Sequence, residues 1–485
     1  MRLLLYIYFL FNFIFLTSCE PEKKQKKEEE EIKDPEYSVI GYPTKETVED
    51  MFEEMAYHGA TQAYLWGTVV LVNDTWRQVN LSVAGPLDFV TYNTLEEKYN
   101  TITSNLNTPY MLAFPNLSET GPLILEVPAG PTGGLLNDIE SRNIGDIGLT
   151  GPDQGEGGKY LILHESWEVP ENHNADFIYR AKTNLIWVGT RILTSDDEEV
   201  QKLQKAHKIY PLGQKPETNV VSIGNKVFQG WQPEGLAFWE AIHRVVQEED
   251  FPPEDRYILQ FLERVGIEKG KEFKPSIQQK KILRKAASHG KAMAESLSNG
   301  RRFLITPYYN DGTKWTVHYG GLTNANHVNV NGMKEFDGLV SYCWEAFSVS
   351  EGMMQDLIGA GSKYLATYED QHGDWLNGSF TYELDIPANV PAEKFWSFIV
   401  YSQATRTFIE NKDRKPGLSS KGNLYQNIDG SFTITMGPKR PKGVPKTNFL
   451  YTNPNEGWFA YFRCYDPKKA YYDKTWRLPD IKRIK

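Results

Sequence analysis

The spacing of apolar residues changes twice along this 485-residue chain, and each change restricts the fold. Between residues 92 and 211 the apolar residues come in short runs, among them Tyr110-Met111-Leu112-Ala113-Phe114, Leu123–Val127, residues 160–163 and residues 185–188. Gly, Pro and Asn clusters bound these runs, which therefore read as strands of a sandwich or barrel. From 233 to 300 the period lengthens to that of a helix. Leu236, Trp239, Ile242 and Val246 recur at steps of three or four, as do Ile258, Phe261, Leu262 and Val265 before Gly266. Ser276-Ile277-Gln278-Gln279 reads as a capping box opening a third helix that Gly300 closes. Past residue 375 the period returns to two. Phe380, Tyr382, Leu384 and Ile386 alternate with polar residues, residues 394–401 are apolar on both faces, and Phe432, Ile434 and Met436 alternate again. Asp429-Gly430 is a hairpin cue, and residues 457–465 form the last strand before a tail. This order predicts a mainly β, α+β chain with two β-rich regions linked by a helical segment.

The first 19 residues predict an address. Arg2 precedes an uncharged run over residues 3–16, shorter than the roughly 20 residues that span a bilayer and suited to a signal peptide. Leu16-Thr17-Ser18-Cys19 resembles a bacterial lipobox, whose cysteine would be lipidated. Residues 20–36 carry eight acidic and five basic side chains and almost nothing apolar, so 20–40 reads as a solvated tether. Folded sequence starts near Gly41, with Val48, Met51, Phe52 and Met55 on one face of a helix over 44–57. The expected division is an N-terminal β-rich domain over 41–215, a helical connecting region over 216–355 and a C-terminal β-sandwich over 356–485. A net charge of −10 argues against a nucleic-acid partner. The expected partner is instead a membrane, reached through the lipid anchor, with the protein in the cell envelope, extracytoplasmic and at the outer membrane. Cys343 and Cys464 can be one disulfide or two free thiols; their lack of a spacing pattern favours thiols.

Two blocks of residues carry a family resemblance. Asn105-Leu106-Asn107-Thr108-Pro109-Tyr110, Gly121-Pro122-Leu123, Val127-Pro128 and Gly157-Gly158-Lys159-Tyr160-Leu161 resemble the N-terminal half of a bacterial two-domain family. Leu376-Asn377-Gly378 to Tyr382, Phe395-Trp396-Ser397 to Tyr401, Asn427 to Ser431 and Phe462-Arg463 to Tyr465-Asp466-Pro467 resemble its C-terminal half. These halves are the domains of unknown function 1254 and 1214. Members of the family it resembles usually carry Asp-Thr, followed by an aromatic one residue later, where this chain has Asn107-Thr108-Pro109-Tyr110. The resemblance implies two jelly-roll-like sandwiches flanking helices, with no established activity.

No residue pattern announces a reaction. His-Glu-x-x-His, Gly-x-Ser-x-Gly, a Walker loop and paired CxxC are all missing from the sequence. The glycines at 130–134 and 151–158 read as loops. His164, His173, His318 and His327 lack metal-ligand spacing, so no metal or cofactor is expected. Glu369, Asp370 and Asp374 read as a solvated turn, and Asp429 as turn chemistry. Aromatic residues make up 13% of the chain, with 27 Tyr and 12 Trp, enough to supply stacking faces. The candidate ligand-binding residues are Asn107, Tyr110, Trp396, Tyr401 and Arg406, in which flat rings meet sugar C–H faces and a guanidinium forks onto a carboxylate or sulfate. The expected function is binding, with possible processing, of a small polar or carbohydrate-derived ligand. The alternatives are a metal-independent hydrolase or lyase in an interdomain cleft, and an envelope scaffold.

Overall fold

The computed structural model describes residues 34–309, 311–359 and 361–484. Cys19, the lipobox-like segment and the tether as far as residue 33 lie outside the described residues. Contacts divide the chain into a unit of residues 1–52 and a unit of residues 53–485. In the first, Thr44 Oγ1 accepts the Thr47 amide at 3.2 Å, and the Thr47 hydroxyl donates to the Glu36 carbonyl at 3.1 Å. These bonds mark the start of helix Lys45–Leu81. The helix runs well past the expected end at residue 57, because residues 60–72 are apolar on nearly every side and buried. Val48, Met51 and Phe52, the face expected from the pattern, are exposed, as is Met55.

Four sheets build two sandwiches in the second unit. The first pairs a six-stranded sheet with a four-stranded one. In the larger sheet the order is Val220–Ser222, Phe89–Tyr92, Tyr110–Ala113, Ile186–Ile192, Thr132–Asp138 and Asn143–Gly148. Its partner runs Phe177–Ala181, Gly158–His164, Leu123–Val127 and Lys208–Pro211. Met111, Leu125, Leu136, Tyr160 and Val188 pack between them. The second sandwich has a five-stranded sheet of Thr316–Val317, Ser362–Thr367, Trp458–Pro467, Ala392–Ser402 and Gly417–Ser419. It faces Phe449–Tyr451, Phe432–Gly437, Tyr382–Ile386 and Lys482–Arg483 across a core that includes Leu365, Phe398, Phe462, Leu384 and Ile434. The chain is thus α+β with mainly β domains, as the apolar spacing predicts.

The helical period also holds. Helices Leu236–Glu248, Tyr257–Glu263 and Ile277–Asn299 form, the last opened by the reciprocal Ser276–Gln279 capping box. Their apolar stripes share a core with the 45–81 helix. A second cluster lays Val69, Val72 and Trp76 of that helix, with helix Phe336–Cys343, against Leu112, Leu135 and Trp187 on the outer face of the six-stranded sheet.

Three local expectations are corrected. Asp429-Gly430 makes a tight turn, with the Ser431 amide donating to Asp429 Oδ1 at 3.0 Å, but it does not close a hairpin. The strands before and after it, 417–419 and 432–437, belong to different sheets. Gly133 and Gly134 lie within a strand, and Gly158 begins one. The tail adds a short strand at Lys482–Arg483 that pairs with Tyr382–Ile386. Cys343 and Cys464 are both free and buried.

Gly290 shows how closely the helices approach. A Cβ there would lie 2.5 Å from the Tyr64 ring, too close for any rotamer of Tyr64 to ignore. Gly290→Val is expected to lower unfolding stability by about 1–3 kcal/mol, read as a drop in Tm and denaturant midpoint; an unchanged midpoint would contradict this packing.

Candidate functional site

A cavity of about 820 Å³ lies within the second unit, between the outer face of the six-stranded sheet and that of the five-stranded sheet. The pleat decides which side chains reach it, because alternate residues of a strand face opposite sides. On the Ile186–Ile192 strand, Ile186 and Val188 enter the sandwich core while Trp187, Gly189 and Arg191 face the cavity. Tyr110 and Leu112 stand beside them, Tyr110 directly opposite Arg191 in register. Gly189 is required by packing, since a Cβ would meet the Trp187 ring at 2.7 Å. From the other sheet come Ser362, Tyr364, Tyr461, Arg463 and Tyr465, with Tyr364 opposite Arg463.

The floor is aromatic. Phe347 stacks on Trp76 at 4.7 Å between ring centres and lies 4.9 Å from Trp187. The rim is rich in hydroxyl and amide groups, among them Thr103, Ser104, Asn105, Asn107 and Thr108.

The charge is strongly one-sided. Arg191, Lys394, Lys421 and Arg463 line the cavity, whereas its carboxylate among the described residues is Asp466, which Lys394 holds at 2.9 Å. Arg463 is 3% exposed. It donates to the Thr103 carbonyl at 2.5 Å and to the Tyr401 hydroxyl at 2.7 Å, and its Nε has no hydrogen-bond partner among the described residues. Neither Arg191 nor Arg463 has a carboxylate within ion-pair distance there. The guanidinium of Arg463 lies 4.5 Å from the centre of the Tyr364 ring. Burial alone would raise the pKa of that phenol, but Arg191 and Arg463 outweigh burial and hold it below its ordinary value, with help from the Ser362 hydroxyl at 2.8 Å. His318 packs 4.5 Å from the same ring, and neither of its ring nitrogens has a partner among the described residues. Burial, with Arg301 and Arg463 adding repulsion, keeps its pKa well below normal, so the imidazole is neutral.

A buried network supports this wall. Glu345 accepts from Arg301, from the Tyr368 hydroxyl at 2.7 Å, from the Ser298 hydroxyl at 3.1 Å and from Tyr461. Arg301 also donates to the His318 carbonyl at 2.7 Å. Both ion-pair partners are 1% exposed.

The five expected ligand residues separate. Asn107 and Tyr110 are on the cavity wall, Asn107 exposed at the rim. Tyr110 stacks on Tyr92 and bonds the Ser104 hydroxyl at 2.9 Å, with Lys98, whose pKa burial pulls down to about 7, 5.2 Å from its ring. Trp396 faces the other way, into the sandwich core against Phe462 and Phe432. Tyr401 is buried behind the wall, where its hydroxyl donates to the Ser104 carbonyl at 2.6 Å and receives Arg463. Arg406 turns away. It packs 4.1 Å from the Trp344 ring and donates to the Trp344 and Ala404 carbonyls and to Gln232.

Among the carboxylates, Glu369 and Asp370 are buried rather than solvated, since the 370–374 turn folds back on itself with Asp370 Oδ1 accepting the His372 and Asp374 amides. Asp374 remains outside, paired with Arg483 at 2.8 Å. Among the described residues no group of three or more His, Cys, Asp or Glu side chains is placed to hold a metal ion, and no helix is long and apolar enough to cross a membrane.

Arg191, Tyr364 and Arg463 were missed by sequence reasoning, although one signal was present. Residues 185–192 and 457–465 each carry a single arginine inside an otherwise apolar strand, and such a charge needs a special environment.

Residues 88–211 match the family model described as "Protein of unknown function (DUF1254)", and residues 361–469 match "Protein of unknown function (DUF1214)". The N- to C-terminal order is the one the sequence motifs suggest. The comparison with curated proteins gives no match. Among solved structures, the VPA0106 protein from Vibrio parahaemolyticus is similar in fold, with 17% identity, a TM-score of 0.51 and coverage of 89% of this chain and 100% of that chain. An uncharacterized protein from Burkholderia cenocepacia aligns at 11% identity with a TM-score of 0.38, covering 90% and 96% of the two chains.

The network carries a direct expectation. Glu345→Gln leaves Arg301 buried without its counter-charge and is expected to cost about 3–5 kcal/mol. The double change to Arg301→Met and Glu345→Met should recover most of that loss in urea unfolding. Equal losses in the single and double variants would contradict the pairing.

Proposed function

We propose that this chain is a lipid-anchored, extracytoplasmic protein that binds an acidic, carbohydrate-derived small molecule in the cavity between its sandwiches. One observation carries this reading: Arg191 and Arg463 face the same space with no carboxylate of their own among the described residues. A buried guanidinium without a counter-charge is costly, and an incoming carboxylate or sulfate offsets that cost while taking charge-assisted hydrogen bonds. The surroundings fit the rest of such a ligand. The half-buried Phe347 ring offers a face to sugar C–H groups, and the hydroxyl and amide rim matches sugar hydroxyls. The volume, about 820 Å³, falls in the range of small-molecule sites. Lipidation at Cys19, followed by the charged tether, would hold this body at the outer membrane.

Calorimetric titration of the full chain tests the ligand. Galacturonate, glucuronate and trigalacturonate are expected to bind and raise Tm, whereas glucose and galactose are not. Arg191→Leu should weaken acid binding by about tenfold or more, in line with a lost charged hydrogen bond. Neutral sugars binding as tightly as the acids would overturn the reading. Metabolic palmitate labelling tests the anchor: wild type should be labelled and Cys19→Ala not, and equal labelling of the two would remove the anchor.

A further inference from the structure

Tyr364 stands where two cavities meet. The large cavity described above and a second one of about 410 Å³ both have Tyr364 in their walls. The smaller cavity is lined by hydroxyls and ammonium groups, with Tyr308, Tyr319, Thr323, Tyr472, Lys363 and Lys474 among them. The Tyr364 oxygen is 2.8 Å from Ser362 Oγ, and its ring lies beneath the Arg463 guanidinium. Arg191 approaches from the opposite sheet, and among the described residues the carboxylates that line the two cavities are both paired. Asp466 is paired with Lys394, and Asp356 in the smaller cavity lies 3.3 Å from Lys363.

A phenol that lines two cavities, beside two cations open to a carboxylate, is placed to act on a molecule that spans both. We propose that Tyr364 is the catalytic base, and then the acid, of an elimination that cleaves a carboxylate substrate bearing an alkoxy group on its β-carbon. In the acidic carbohydrates of the preceding reading, on which this inference rests, that substrate is a uronate whose glycosidic oxygen sits on the carbon β to its carboxylate. The acid-bearing piece occupies the large cavity and the leaving piece the smaller one.

The step balances without a co-reactant. The Tyr364 phenolate oxygen forms an O–H bond to the hydrogen on the α-carbon. The C–H electron pair becomes the enolate, whose added negative charge spreads onto the carboxylate oxygens facing Arg191 and Arg463. That pair then forms the α,β double bond as the β-carbon–oxygen bond breaks. The departing alkoxide takes the proton from the Tyr364 hydroxyl, which returns to phenolate. The products are an unsaturated acid and an alcohol, and nothing is oxidised or reduced. The free guanidiniums of Arg191 and Arg463 favour the phenolate before substrate binds, and a positioned base of this kind is worth roughly 10²–10⁴ in rate.

The test uses the full chain as wild type, Tyr364→Phe and Arg191→Gln. Ultraviolet difference titration of the ligand-free protein should show one tyrosinate forming below the ordinary tyrosine value of about 10, absent in Tyr364→Phe and shifted upward in Arg191→Gln. Trigalacturonate and alginate trisaccharides are then added, and the absorbance of the conjugated unsaturated uronate is followed. Product should form in wild type and fall at least about 100-fold in Tyr364→Phe, which should keep the ligand-induced rise in Tm. Identical titrations in wild type and Tyr364→Phe would overturn the proposal. So would a clear Tm rise with neither unsaturated product nor exchange of the α-hydrogen in deuterated water, an outcome that leaves the binding reading intact. If no acidic sugar shifts Tm, the binding reading fails and this inference with it.

Discussion

The buried pair of Arg301 and Glu345 is the interaction on which the cavity wall depends. A lone pair of charges in so dry a place would not recover its desolvation cost. Here the carboxylate also collects the Tyr368, Tyr461 and Ser298 hydroxyls, and the guanidinium reaches the His318 carbonyl. A network satisfied at every member rigidifies its surroundings. Its members come from the end of the 277–299 helix, from the turn that follows it, from the segment after the 336–343 helix and from the five-stranded sheet. The helical layer and the second sandwich are therefore joined through one carboxylate, and the same contacts fix the backbone of His318 and the ring of Tyr461.

Arg463 follows Tyr461 by two residues on that strand and so shares its face, yet its charge is treated differently. Among the described residues no carboxylate meets it, and its guanidinium is held by a carbonyl, a hydroxyl and a tyrosine ring. These groups orient the cation without neutralising it. The fold thus satisfies one buried arginine internally and leaves a second open toward a cavity, with Arg191 across the gap. Tyr401 belongs to this arrangement, because its hydroxyl both accepts from Arg463 and donates to the Ser104 carbonyl at the rim.

The strands and helices were legible because their signal is local. Alternation at 382–386, the double-sided apolar run at 394–401 and the Ser276 capping box all follow from neighbouring residues. Asp429-Gly430 was read correctly as a turn and wrongly as a hairpin, since sheet membership depends on partners far away in the chain. The residues of the candidate site are divided for a similar reason. Arg191 and Arg463 meet only through the facing of two sheets, which no spacing reveals. Trp396 and Tyr401 are an odd number of residues apart on one strand, so the pleat puts them on opposite faces and no single surface could use both. Arg406 lies just after that strand, but its backbone adopts a φ of 60°, and its side chain turns toward Trp344 instead of the cavity.

A phenol suits the position of Tyr364 better than a carboxylate would. A carboxylate between two guanidiniums would pair with them permanently, compete with an incoming anion for the same hydrogen bonds and lose its basicity. A phenol is intrinsically a weak acid, so its charge depends on those guanidiniums being free. When an anion arrives and neutralises them, the field that favoured the phenolate weakens and its affinity for a proton rises. Under the proposed chemistry that proton comes from the α-carbon of the bound substrate, in a dry site where each charge acts over short distance with little screening. That coupling follows from two arginines, one tyrosine and the absence of a free acid between them, and it gives the one-sided charge of the cavity a chemical consequence beyond attraction.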